Sequence, residues 1–398
     1  MLGGIAIIIK SKKITLSRMI SKTLIIRTKI FMYIGKALVF FAVVVGRLLY
    51  RKPLNQNVLL MIEAGKIGWT SVFYTELLRS AGDYLGPDQV VTSSIDRTKN
   101  YLAQSVRNIA KSRPTHFFYD PRTSSQNRSV AIFQTIVLTF TLTYFRITPI
   151  VILTDASVRQ WRYQVFILTA RDGVIVTFVD PKEMGDLFPH NRIVGPMFMP
   201  ISIATLQNLA ERRESSRLLA GDRNIVYFLG SLYSKRVDFF EKLQLCLSTI
   251  GSKVSIKTQS KSDDILPSGY WEKLLGADSI ITTTFQQPEP KFIQDILGIN
   301  QLVFRVSEAL AAKSLLFSSS VIGMERYFKP GIDFVLYQDA EEAAKKIDFY
   351  FTNKDLAIKI LEQGHRTYRE LIVNKEFWKR IDLYLKKPLD FTIGVKVE

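Results

Sequence analysis

This chain has few residues suited to metal or disulfide chemistry. It has one cysteine, Cys246, and three widely separated histidines, His116, His190 and His365. A lone thiol excludes an intrachain disulfide and any cysteine-based zinc cluster. It fits a reducing compartment. The histidines show no metal-ligand spacing, and there is no H-E-x-x-H, no P-loop and no D-x-D that would hold a metal-bound diphosphate. Acids are missing from one whole region: nothing before Glu63 is acidic.

That gap shapes the charge. The net charge is +18, and residues 1–52 supply eleven Lys and Arg, leaving +7 for the rest. The basic excess is therefore mostly an N-terminal arm, and a basic arm points to anionic lipid or nucleic acid. Its neighbour favours lipid: residues 30–50, IFMYIGKALVFFAVVVGRLLY, form a long apolar run with basic residues at both ends. Between Lys36 and Arg47 lie ten uncharged residues, which is ~15 Å of helix and about half a hydrocarbon core. Three arrangements are open: an interfacial or shallow anchor, which is preferred, a single pass with snorkelling charges, and an apolar helix docked on the protein. The expected location is the cytoplasmic face of a membrane, as a peripheral, monotopic or single-pass protein. The arm is assigned residues 1–53.

With 398 residues, 47% of them apolar, two domains with real cores are expected. The first is placed at 54–205. Residues 57–63 (NVLLMIE) read as a buried parallel strand, followed by a loop with Gly65 and Gly68 and a helix over 71–80. Further strands are expected at 115–119, 147–153 and 173–179, with a short one at 192–194. The apolar stretch 130–145 resembles a membrane span, but Arg146, Pro149 and its threonines argue for a buried helix feeding a buried strand. A helix is expected over 161–170. Three strands end at Asp120, Asp155 and Asp180, and ligands of open α/β sheets bind outside the carboxyl ends of strands. Asp155 follows the most apolar strand and is the first candidate for a general base on an acceptor. The plainer reading is that such aspartates cap the following turn.

Residues 206–222 read as a polar helical linker, and a second α/β domain follows at 223–352. It opens with a strand at 224–229, the turn Gly230-Ser231, then Lys235 and Arg236 at a helix start. Free backbone N–H groups, a residue without a side chain and a nearby cation suit a diphosphate. Arg305 and Glu308 are three apart on a small-residue helix and share a face. Arginine can fork onto a diphosphate and glutamate can accept from sugar hydroxyls. A simple salt bridge explains the same spacing. A strand at 314–317, a turn at Gly323 with Glu325, Pro330-Gly331, a strand at 334–337 and a helix start at Asp339 complete the unit. Charged helices fill 353–398.

The order R-x-x-E, small-residue helix, apolar strand, G-x-E, P-G, strand, D-x-E-E resembles the C-terminal domain of "group 1" glycosyltransferases of the GT-B fold, across about residues 221–380. The resemblance implies two Rossmann-like α/β domains facing a cleft, the fold class expected here with an added N-terminal basic and apolar membrane-associating helix. It implies C-terminal helices that cross back onto the first domain. It also implies transfer of a sugar from a nucleotide-sugar donor, with no cofactor and no essential metal. Gly230, Ser231 and Arg236 would hold the diphosphate, Arg305 would neutralise the leaving group, and Glu308 would hold ribose or sugar hydroxyls. Relatives often carry a second glutamate eight positions upstream, where this chain has Asn300. The expected partners are the donor, a glycan or lipid-linked acceptor and an anionic membrane surface. A nucleic-acid binder is the weaker alternative, since the charge sits beside an apolar run and no recognition motif appears. A non-catalytic scaffold of the same fold is the other.

Overall fold

The structure is a computed structural model. It describes residues 58–63, 69–95, 101–120, 128–153, 173–181, 192–215, 224–230, 232, 234–259, 267–283 and 302–385, with most of 37–49. Asp155, Ser231, Asn300, the expected Gly65–Gly68 loop and the expected helix at 161–170 lie outside the described residues.

Two parallel sheets organise these residues. The first has six strands, β1 (Val58–Glu63), β2 (Val90–Ile95), β3 (His116–Tyr119), β4 (Thr148–Leu153), β5 (Val174–Thr177) and β6 (Arg192–Val194), in the order β2-β1-β3-β4-β5-β6. The second has five, β7 (Ile225–Leu229), β8 (Ser255–Gln259), β9 (Ser279–Thr282), β10 (Leu315–Ser319) and β11 (Val335–Tyr337), in the order β11-β10-β9-β7-β8. Strands such as β4 (TPIVIL) and β9 (SIIT) are buried almost throughout, as near-continuous apolar runs in a sheet covered on both faces must be. In each sheet the chain reverses its direction of travel at one place, between β1 and β3 and between β7 and β9. Such switch points open a crevice at the carboxyl ends of the strands.

Helices cover the sheets. In the first unit they are α1 (Trp69–Leu85), α2 (Tyr101–Ser112) and α3 (Arg128–Tyr144). The sequence reading passed over β2 and α2. Helix α3 is the buried helix expected from 130–145. Its threonines are accommodated because Thr139, Thr141 and Thr143 each donate their hydroxyl to the carbonyl four residues back, at 2.7–2.8 Å.

The polar segment after the first unit forms a strut. Helix α4 (Ile203–Ser215) is held at its N-terminus by two carboxylates of α1. Glu76 accepts from the Ser202 amide at 3.0 Å and the Thr205 hydroxyl at 2.9 Å, and Asp83 accepts from the Ile203 amide at 2.8 Å. Anions at a helix N-terminus satisfy open N–H groups and oppose the dipole. At the other end Arg213 is buried. It donates to the carbonyls of Leu275 and Ala277 and pairs with Asp278 at 2.9 Å. It thereby satisfies the C-terminal carbonyls of α6 (Pro267–Leu275) in the second unit.

The second unit adds α5 (Ser234–Thr249), α7 (Phe304–Ala311), α8 (Ala340–Thr352), α9 (Lys354–Val373) and α10 (Glu376–Asp382). Helix α8 begins at Asp339, which caps the amides of Glu341 and Glu342 at 2.9 Å. Helix α10 lies against the first unit: Trp378 stacks on Tyr84, meets Phe118 edge-on and donates to Ser80 at 3.3 Å, and Tyr84 donates to Asp382. One apolar core runs through both units, from Val58, Phe73 and Phe198 to Phe304, Leu310 and Trp378.

Replacing Arg213 by methionine keeps the volume but takes the guanidinium from the Leu275 carbonyl and Asp278, while the Ala277 carbonyl keeps its bond from Ser314. The expected loss is about 3 kcal/mol of unfolding free energy, read from urea titration. A change within about 0.5 kcal/mol, the range of ordinary surface substitutions, would show that the strut is not anchored this way.

Candidate functional site

Helices that lead into parallel strands run antiparallel to them, so α6 and α7 start at the carboxyl edge of the second sheet. Helix α5, which follows β7, starts there too. The site residues of the second unit are gathered on this edge by that topology.

At the switch point between β7 and β9 stands Arg236. Its Nε donates to Thr283 Oγ1 at 3.1 Å, its Nη2 approaches the Thr283 carbonyl at 3.5 Å, and its guanidinium lies 5.4 Å over the Phe228 ring. Thr283 directly follows β9 and Phe228 lies near the end of β7, so the cation is fixed across the crevice. Gly230 follows β7, and a Cβ there would come within 3.1 Å of the Phe228 ring. Glycine thus leaves room for the aromatic floor under Arg236.

The second cluster is on α7. Arg305 and Glu308 form an ion pair at 3.0 Å, and Tyr270 of α6 joins them. Tyr270 donates to the Oε2 atom of Glu308 at 2.5 Å, Arg305 donates to the Tyr270 oxygen, and the Arg305 guanidinium lies 5.1 Å over the Tyr270 ring. The Glu308 side chain is 2% exposed and that of Arg305 is 14% exposed. Burial, with Glu308 adding to it and Arg305 opposing it, pushes the Tyr270 hydroxyl well above its ordinary range. Burial opposes the charge of Arg305, but Tyr270 and Glu308 outweigh it and raise its pKa. Tyr270 therefore remains a neutral donor and Arg305 a cation.

This differs in detail from the sequence expectation. Glu308 is the fifth residue of α7, in its second turn. Arg305 and Glu308 bond to each other, as the plainer reading held. Tyr270, which bonds to both, lies on a separate helix. No spacing rule links residues on separate helices, so sequence carried no direct signal of the contact.

Helix α7 is wedged between the units. Phe304 stacks on Phe73 of α1, with ring centroids 4.4 Å apart, and meets Phe178 edge-on at 4.6 Å. The Leu302 amide donates to the Phe178 carbonyl at 2.7 Å, and the Met199 amide donates to Ser307 Oγ at 3.1 Å. Behind it, α9 comes so close at Gly364 that a Cβ would stand 2.2 Å from the Asp333 carbonyl and 2.9 Å from Leu310. The next residue, His365, donates to the Leu310 carbonyl at 3.0 Å, and burial lowers its pKa.

The strand-end aspartates of the first unit are also placed. Asp120, at the switch point between β1 and β3, is buried and accepts from the Tyr74 hydroxyl at 2.6 Å. Asp180, beyond β5, faces Arg326 of the second unit at 3.4 Å, and Arg326 also donates to the Gly195 carbonyl at 2.9 Å. Asp180 therefore joins the two units electrostatically. Gly323, with φ +87°, makes the turn that packs on Pro196, where a Cβ would come within 2.5 Å.

Comparison with known proteins follows this geometry. Residues 297–379 match a family model described as glycosyl transferase-like. No curated protein matches the chain. Among solved structures, Anabaena Alr3699/HepE in complex with UDP-glucose aligns over 82% of this chain and 98% of its own, at 11% identity and a TM-score of 0.50. Sucrose-phosphate synthase from Thermosynechococcus elongatus aligns over 83% of this chain and 97% of its own, at 13% identity and a TM-score of 0.50. The two parallel sheets and these neighbours show the GT-B glycosyltransferase fold.

Tyr270→Phe removes one oxygen and keeps the ring. It is expected to cost about 2 kcal/mol in thermal or urea unfolding, because a buried carboxylate loses a donor. Retention of full stability would show that the hydroxyl does not hold Glu308.

Proposed function

We propose that this GT-B-fold chain is a glycosyltransferase that moves a sugar from a nucleotide-sugar to an envelope-type glycan or lipid-linked acceptor at the cytoplasmic face of a membrane. The observation that carries the reading is Arg236, pinned by Thr283 across the β7/β9 switch point beside Gly230. A guanidinium at that edge has the fork geometry to grip a diphosphate. The match of residues 297–379 to a glycosyl transferase-like model brings α7 into the same function. In HepE the bound molecule is UDP-glucose, which makes uridine diphosphate the first donor nucleotide to try.

Departure of the nucleoside diphosphate builds negative charge on the leaving oxygen. Arg236 and Arg305 stand on the edge where that charge develops and stabilise it without reorganising. On this reading no metal is needed for neutralisation. Gly230 and Ser231 supply backbone donors, and Glu308, oriented by Tyr270, accepts from ribose or sugar hydroxyls. Asp155 is assigned to the acceptor side as a general base. A non-catalytic scaffold of the same fold is the second reading, and the mutual pairing of Arg305 with Glu308 favours it.

The test is thermal unfolding of the full chain with UDP, GDP, CDP, ADP and dTDP, with and without EDTA. One diphosphate at a hundred times its dissociation constant is expected to add about 2.7 kcal/mol, unchanged by EDTA and much reduced in Glu308→Gln. Loss of the effect with EDTA would overturn the metal-independent reading. No shift from any nucleotide would favour the scaffold.

A further inference from the structure

The described residues of the helical segment between 37 and 48 invert the usual arrangement of a surface helix. Their small residues face the protein: Ala42 is buried, and a Cβ on Gly46 would stand 3.0 Å from Thr143 and 3.3 Å from the Phe140 carbonyl of α3. Their large residues face outward. Leu38, Phe40, Phe41, Val44 and Leu48 are between 40% and 77% exposed. At 100° per residue these five fall within one arc of about 160°. Helix α3, on which the segment rests, itself exposes Phe133. A helix bound for water would carry its polar residues on this face.

We infer that this face lies in the interfacial layer of an anionic lipid bilayer, with the helix parallel to the membrane plane. Charge selects that occupant. The flanking sequence carries Lys36, Arg47, Arg51 and Lys52, and residues 1–52 hold eleven basic residues and no acid. A surface that is both apolar and anionic is what a bilayer of acidic phospholipids offers, whereas nucleic acid lacks an apolar layer to receive Phe41 and Leu48. Orientation follows from the docking contact. Ala42 and Gly46 turn toward the protein. Their small-residue face is held along α3, which belongs to the body of the first unit. Among the described residues no helix is long and apolar enough to cross a membrane. The inference is independent of the transferase reading. If both hold, the first unit is the one seated on the lipid.

The test uses the full chain and sedimentation with vesicles of phosphatidylcholine alone or mixed with phosphatidylglycerol. The wild type is expected to bind the anionic vesicles. Phe41→Ser with Leu48→Ser is expected to weaken that partition by about a hundredfold, roughly tenfold for each large apolar side chain withdrawn from lipid. The exposed positions should leave the unfolding temperature unchanged. As a second measurement, the indole in Phe41→Trp should be quenched by brominated acyl chains in anionic vesicles. Unchanged partition of the double variant together with an unquenched indole would overturn the proposal. So would a dimer in lipid-free solution that the double variant converts to monomer while its lipid partition stays the same, since the face would then belong to a second copy of the chain.

Discussion

The organisation of the molecule depends on burying α7 between two α/β units. Seven of its eight residues are buried, and both units supply its surroundings. Phe73 and Phe178 meet it in front, and Gly364 and His365 come up behind. A helix enclosed on all sides can carry ionisable groups only if they satisfy one another. Arg305, Glu308 and Tyr270 bond to one another, leaving the buried Arg305 Nε without a hydrogen-bond partner. The small residues Ala309, Ala311 and Ala312 serve the same constraint by letting α9 approach.

The same constraint limits relative motion of the units. Their interface is a continuous apolar core, reinforced by Arg326 with Asp180, by Tyr327 donating to the Pro196 carbonyl at 2.8 Å and by Tyr368 donating to the Met199 carbonyl at 2.7 Å. Large apolar interfaces oppose hinge motion more than polar ones. Burial pushes the Tyr327 hydroxyl up to about 12, so it is a donor at any ordinary pH. Helix α4 adds a rigid tie, anchored by carboxylates of one unit and by carbonyls of the other. At the switch points, Arg236 is held by Thr283 in one unit and Asp120 by Tyr74 in the other.

Much of this was legible in the sequence where local pattern decides structure. Continuous apolar runs marked β1, β4 and β7, and the threonine-rich stretch 130–145 was readable as a buried helix because Arg146 and Pro149 follow it. Strand β2 (VVTSSI) was missed because it is an edge strand, with half its residues polar, whereas α2 carries Leu102, Val106 and Ile109 at helical spacing and was legible. The site was legible as single residues. Sequence singled out Arg236 and the Arg305–Glu308 spacing, but Tyr270, Thr283 and Phe228 became their partners only through tertiary contact. Buried charges such as Glu76 and Arg213 look like surface residues in sequence, since only their partners across the fold account for their burial.

Under the proposed function, Arg236 holds the second phosphate of a donor nucleotide at the β7/β9 switch point. Titration calorimetry of UDP and UMP against the full chain and Arg236→Gln tests it most directly. The account predicts that the wild type prefers the diphosphate, and that the variant loses about tenfold or more in UDP affinity while UMP binding stays within about twofold. Equal affinities for UDP in both proteins, or an equal loss for both nucleotides, would contradict it.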